Sequence, residues 1–118
     1  MTISVNTHDI QTSQPQQVNL KDRSGAHTEL TLFVQGQPPI ATAFDYHEGD
    51  FNAPLNLPPG KYHCNFIVQA YHYDANKTLN PVYDVKCEIN GQACADAKGS
   101  VKVNSSDAGS KSFILTVV

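Results

Sequence analysis

Charge is scarce in this sequence, and none of it is gathered into a basic cluster. Eight lysine and arginine residues stand against eleven aspartate and glutamate residues, which gives a net charge of −3. Nucleic-acid binding gains affinity by releasing counterions from phosphates, and this requires a basic surface. The sequence therefore argues against a nucleic-acid partner.

Long apolar runs are also missing. No stretch approaches the roughly 20 residues that a membrane-spanning helix needs, so we expect no membrane insertion. The first residues, Met-Thr-Ile-Ser-Val-Asn, have neither the basic nor the apolar region of a secretory signal. This favours synthesis in the cytoplasm, with any export by a non-Sec route. The alternative is a signal peptide removed when the chain was prepared for expression.

Signatures of catalysis are absent as well. There is no Gly-x-Ser-x-Gly elbow, no phosphate-binding glycine loop and no nucleotide fingerprint. The five histidines show no pair at the spacing of zinc ligands. His63 stands beside Cys64, but neighbouring residues of a strand point to opposite faces and cannot act together as base and nucleophile. We predict a protein that is not an enzyme and that needs no cofactor, with calcium as the one exception considered below.

The chain does have apolar and polar residues that alternate in short segments. Strong helix formers are not dominant, and seven glycines and seven prolines separate the segments. A period of two predicts strands with one buried face, and strands without intervening helices predict an antiparallel sandwich or barrel. We predict one all-β domain over residues 1–118. It is a single antiparallel β-sandwich, immunoglobulin-like or jelly-roll-like, with eight to ten short strands and no substantial helix.

The predicted strands cover residues 3–7, 18–21, 28–35, 40–46, 51–57, 61–74, 82–89, 92–96, 100–104 and 111–118. A Gln-rich link precedes residue 18, a loop is predicted at 74–81, and a polar turn at 105–109. The last strand is apolar on both faces, because Ile114 and Val118 accompany Phe113 and Leu115. Such a strand lies in the middle of a sheet or has its second face buried by another subunit. We favour a position in the middle of a sheet.

Residues 57–74 form the clearest segment. Pro58-Pro59-Gly60 predicts a turn, because proline and glycine supply the dihedral angles that it needs. The strand that follows has an inward set, Tyr62, Cys64, Phe66, Val68 and Ala70, and an outward set, His63, Asn65, Gln69, Tyr71 and Tyr73. The string Leu-Pro-Pro-Gly-Lys-Tyr at 57–62 resembles the turn-into-strand element of many extracellular β-sandwich modules. The resemblance supports the architecture.

Two of the three cysteines, Cys87 and Cys94, flank Asn90-Gly91. Asn-Gly is a strong signal for a two-residue hairpin turn, which would put the two cysteines directly opposite each other and within disulfide range. Alternatively, both are small buried core residues. Cys64 is expected in the core.

The outward set of residues 61–74, together with Tyr46, is the candidate binding surface: Tyr46, His63, Asn65, Gln69, Tyr71 and Tyr73. Tyrosine offers a large contact area at low entropic cost and is common at interfaces. A second candidate is the acidic loop with Asp45, Glu48 and Asp50, whose oxygens suit calcium. Companion ligands would come from Asn52 or from the loop at Asp74.

Three functions fit these features. The first is a non-enzymatic binding module, perhaps lectin-like, that recognises a carbohydrate or a surface protein through loops and the Tyr-rich strand face. The second is a structural or assembly subunit of a homo-oligomer or particle, suggested by the doubly apolar last strand. The third is a secreted effector, toxin component or inhibitor that acts by binding a protein.

Overall fold

The computed structural model describes residues 2–24, 26–73 and 81–118. These residues contain ten strands: β1 Asn6–Thr7, β2 Ile10–Thr12, β3 Gln16–Asp22, β4 His27–Val34, β5 Ile40–Phe44, β6 Gly49–Leu55, β7 Gly60–His72, β8 Val82–Ile89, β9 Gln92–Ser100 and β10 Ser105–Val117. Sheet I has the order β1-β9-β8-β3-β6, and sheet II has the order β2-β10-β7-β4-β5. The two sheets pack face to face, which confirms the predicted all-β sandwich. No helix long and apolar enough to cross a membrane occurs in the described ranges.

The two longest strands, β7 and β10, form the spine of sheet II. They pair antiparallel from Ser105↔His72 to Val117↔Gly60, and each is 13 residues long. The predicted parity of β7 is confirmed: Cys64, Phe66, Val68 and Ala70 are buried, and Tyr62 packs against the same core. The end of β10 lies between β7 and β2, so the prediction of a central last strand is also confirmed.

The predicted boundaries around residue 105 are wrong. Residues 101–104 form the turn, and the Ser-Ser-Asp-Ala-Gly segment belongs to β10. Its composition is typical of a turn, but β7 supplies a continuous ladder of hydrogen-bonding partners. Gly109 is needed there because a side chain would collide with the backbone of Ile3, which runs alongside. The predicted loop at 74–81 lies outside the described residues except for Pro81.

The N-terminal segment is more ordered than the predicted Gln-rich link. β1 pairs antiparallel with β9 in sheet I, and β2 pairs with β10 in sheet II. The β2–β10 pair is parallel, which is an exception to the predicted antiparallel arrangement. Asp9 lies between β1 and β2, and its side chain accepts a hydrogen bond from the backbone N–H of Ile114, 2.8 Å away.

The predicted pairing of Cys87 with Cys94 is wrong, because a β-bulge interrupts the ladder between β8 and β9. The ladder shifts between Cys87 and Glu88, so Cys87 pairs with Ala95 instead. In a regular ladder Asp96 would face the core and Ala95 would face solvent. The extra residue allows both Cys94 and Ala95 to be buried, because a bulge sets two residues against one.

The three cysteines are free and buried. This agrees with the alternative that Cys87 and Cys94 are small core residues. The Sγ atoms of Cys87 and Cys94 lie 3.3 Å apart. Burial and the neighbouring Cys94 raise the pKa of Cys64 to about 12, which leaves this thiol protonated at neutral pH. A disulfide between Cys87 and Cys94 stays a prediction.

Candidate functional site

The outer faces of the two sheets differ in charge. Sheet I presents a mixed charged face with residues such as Lys21, Asp50, Asp84, Lys86, Glu88, Asp96 and Lys98, and it includes a Lys21–Glu88 ion pair of 3.0 Å. On sheet II the outward positions of β4, β5, β7 and β10 carry two formal charges, Glu29 and Lys61. The others are small, polar or aromatic, except for Ile67 and Ile114. Charge-poor patches with aromatic residues are typical of the central part of binding surfaces.

Four aromatic rings gather at one end of this charge-poor face, and we call them the tyrosine end: His27, Tyr46, Tyr71 and Tyr73. The register places His27 directly beside Tyr71 on neighbouring strands. Their rings stack with centroids 4.2 Å apart and planes 25° apart. Tyr71 also contacts Tyr73, with centroids 5.6 Å apart.

Tyr46 connects the loop after β5 to this cluster. Its backbone has a φ of 58°, a left-handed conformation that is uncommon for residues other than glycine. Its hydroxyl oxygen accepts a hydrogen bond from the backbone N–H of Tyr73 at 3.0 Å. Its ring also meets the buried His72 edge-on at 5.4 Å. Tyr73, although 60% exposed, is therefore held in place through its backbone.

His27 is fixed by a carboxylate and by the aromatic rings around it. Its Nδ1 lies 3.1 Å from Oδ1 of Asp45, and its ring is stacked on Tyr71. The other ring nitrogen, Nε2, is buried and has no hydrogen-bond partner among the described residues. Asp45 therefore orients the imidazole that supports Tyr71.

An open pocket of about 420 Å³ adjoins the tyrosine end. It is lined by Tyr73, Lys102, Asn104, Ser105, Ser106 and Asp107. Ser106 is the register partner of Tyr71, so the pocket and the stacked rings are parts of one surface. Asn104 adopts a φ of 60° at the turn into β10. The lining offers hydroxyl and amide groups beside an exposed aromatic ring.

The surroundings of Tyr71 raise the pKa of its phenol. Burial is the largest cause, and the nearby Glu29 raises the pKa further. A protonated phenol can both donate and accept a hydrogen bond. Tyr71 can therefore pair with either kind of group on a ligand.

The predicted binding residues separate into two groups. Tyr46, Tyr71 and Tyr73 come together at the tyrosine end, and Gln69 is the next outward residue of β7. His63 and Asn65 lie toward the opposite end of the strand. Eight residues of strand separate His63 from Tyr71, which is about 26 Å at the usual rise per residue. One small ligand cannot contact both groups.

The acidic loop does not assemble a set of metal ligands. Asp45 is bonded to His27, and Asp50 forms two hydrogen bonds of 3.0 Å with Arg23. Within the described ranges no three histidine, cysteine or acidic side chains are grouped as metal ligands would be. Calcium binding at Asp45, Glu48 and Asp50 stays a prediction, without a grouped site to support it.

Sequence reasoning missed six residues at this site: His27, Lys102, Asn104, Ser105, Ser106 and Asp107. The predicted strand began one residue after His27, and the other five lie in segments interpreted as a short strand and a turn. Their neighbours depend on pairings between distant strands, such as His27↔Tyr71 and Ser106↔Tyr71. A local pattern does not encode these pairings.

The chain matches no protein-family model, and comparison with curated proteins finds no similar sequence.

Proposed function

We propose that this protein is a non-enzymatic, lectin-like binding module that recognises a carbohydrate at the tyrosine end. The observation that carries the proposal is the exposed ring of Tyr73 on the rim of a pocket lined by hydroxyl, amide and charged groups. Binding pockets typically combine apolar or aromatic surface with a few polar groups that fix orientation.

The chemistry of a sugar ring suits this arrangement. One face of a pyranose exposes C–H groups, which pack against an aromatic ring, and its edge exposes hydroxyls. Tyr73 and Tyr71 supply the aromatic surface. Asn104 and Ser106 supply donors and acceptors for the hydroxyls. Lys102 and Asp107 bring one charge of each sign to the pocket, which favours a ligand without net charge.

The aromatic surface is held in place before any ligand arrives. Tyr46 holds the backbone of Tyr73, and His27 supports the ring of Tyr71. Ordering side chains on binding costs about 0.5–1.5 kcal/mol for each one immobilised. Rings that are already packed avoid part of this cost, which favours binding.

A glycan array followed by calorimetry tests the proposal, with Tyr73→Ala as the key variant. We expect specific binding by the wild type and at least a tenfold loss in the variant, because one aromatic contact surface is removed. Phe33→Ala is the matched control, since Phe33 is also exposed, at 41%, on the same sheet but far from the pocket. It should bind like the wild type.

The array is run with calcium and with a chelator, because the acidic loop lies beside the site. Loss of binding on chelation would give Asp45, Glu48 or Asp50 a role as ligands. An array without any binder above background would reject the carbohydrate. A protein ligand at the same face would then be the alternative to pursue.

A further inference from the structure

β5 is the terminal strand of sheet II and is hydrogen-bonded to β4 only. In an antiparallel ladder each strand directs alternate N–H and C=O groups to its two sides. The outer side of β5 therefore presents unpaired backbone groups. In the ranges that the structure describes, no hydrogen bond from another element reaches this side.

The other sheet edges carry features that discourage pairing, and β5 does not. β1 and β2 are two and three residues long. β6 contains Pro54 and the charged Asp50. Short length, proline and charge are the usual protections of an exposed edge. β5 has the sequence Ile-Ala-Thr-Ala-Phe, without charge, proline or a register shift.

The sequence of β5 is complementary to itself when it is read in the opposite direction. An antiparallel pairing centred on Thr42 sets Thr42 against its own copy, Ala41 against Ala43, and Ile40 against Phe44. Paired threonines are favourable across strands, whereas Phe44 is already buried by its own chain. Ala41 and Ala43 are exposed and small, so they leave the approach of a second strand open.

We propose that two copies of the chain associate through β5, antiparallel about a two-fold axis at Thr42. The two copies of sheet II then form one continuous sheet. Pro39 and the bend at Asp45 limit the new ladder to five residues on each copy. No like charges meet, because Asp45 faces Pro39 of the other copy and is already bonded to His27.

The proposed contact is small, so the dimer is weak. Five strand residues span about 17 Å, and interfaces below the standard size are typical of transient association. We expect a dissociation constant of roughly micromolar or weaker. The association should therefore be reversible and should depend on concentration.

Sedimentation velocity over a wide concentration range tests this dimer. We expect the average mass of the wild type to rise from 12.9 kDa toward twice that value. Thr42→Lys and Thr42→Glu each place like charges across the axis and should weaken association at least tenfold. An equimolar mixture of the two variants should associate again, because opposite charges then meet. Thr116→Lys, at a half-buried threonine of β10, is the control and should behave as the wild type.

Hydrogen exchange of the wild type gives a second readout that does not depend on how the variants fold. Protection of those amides of residues 40–44 that point away from β4 should increase with protein concentration, while protection on sheet I should not. The proposal is overturned if the wild type stays monomeric to about millimolar concentration, or if both Thr42 variants associate like the wild type. A monomer that instead binds an extended segment of another protein at β5 would also overturn it.

Discussion

Asn90 offers the sharpest test of how the loops are held, because its side chain joins two segments far apart in sequence. Its Nδ2 lies within hydrogen-bonding distance of Thr12 Oγ1 at 2.6 Å, Pro15 O at 3.2 Å and Ser13 O at 3.3 Å. Its Oδ1 accepts from the backbone N–H of Gln17 at 2.8 Å. The residue also adopts a φ of 50° in the Asn-Gly turn.

Asn90→Asp separates these roles. Aspartate keeps the acceptor for Gln17 and tolerates a positive φ, but it removes the donors at Nδ2. An amide has two hydrogens, so three acceptors share at most two full bonds. The Thr12 hydroxyl can turn to donate to the new carboxylate, whereas the carbonyls of Ser13 and Pro15 cannot. At about 1 kcal/mol for each bond, plus repulsion from those carbonyls, we expect a loss of about 2 kcal/mol of unfolding free energy.

Urea unfolding at neutral pH measures this loss as a lower midpoint with an unchanged m value. Asn104→Asp is the matched control, because Asn104 also has a positive φ of 60° and its side chain makes no hydrogen bond within the described ranges. It should lose less than about 0.5 kcal/mol, as surface substitutions usually do. Equal effects of the two variants would refute the reasoning, because the loss would then not arise from the Nδ2 bonds.

Two further predictions concern the core. Phe66 is fully buried, so Phe66→Ala should cost about 3–5 kcal/mol. Ile67→Ala, on the outer face, should cost clearly less, and the reverse order in chemical denaturation would place the register one residue off. Burial raises the pKa of Asp22 above 3.8 despite hydrogen bonds from Ser24 and Thr28. Its favourable contribution is therefore complete below about pH 3.8 and is lost as the pH rises through the folded-state pKa. The unfolding free energy of the wild type minus that of Asp22→Asn should fall over this range, and a rise would show that the hydrogen bonds outweigh burial.

The architecture could be predicted because it depends on local alternation. The inward residues of β7 follow from a period of two, and burial confirms them at Cys64, Phe66 and Val68. The Asn90-Gly91 turn follows from the need for positive φ, which both residues adopt. These features are encoded within a few neighbouring residues.

Features that depend on partners distant in sequence could not be predicted. The segment from Ser105 to Gly109 has the composition of a turn, yet its ladder with β7 keeps it extended. The bulge at Cys94 allows both Cys94 and Ala95 to face the core, and the Asn-Gly signal does not indicate it. The side-chain bonds of Asn90 reach residues more than 70 positions away, and a hairpin signal contains no information about them.

The candidate site also combines features encoded locally with features that depend on distant partners. Tyr71 and Tyr73 were predicted on the outer face from their parity. Their neighbour His27 comes from a strand more than 40 residues earlier, through the β4–β7 register. The length of β7 separates His63 and Asn65 from the tyrosine end. Parity therefore identifies the face, while the pairing of strands decides which residues share a site.

The most direct test of the account is an amide chemical-shift titration of the labelled protein with the glycan that gives the strongest array signal. We predict that the largest shift changes occur at Tyr71, Tyr73 and Ser106 and that Phe33 is unaffected. Largest changes near Phe33, or on the charged face of sheet I, would contradict the assignment of the tyrosine end as the binding site.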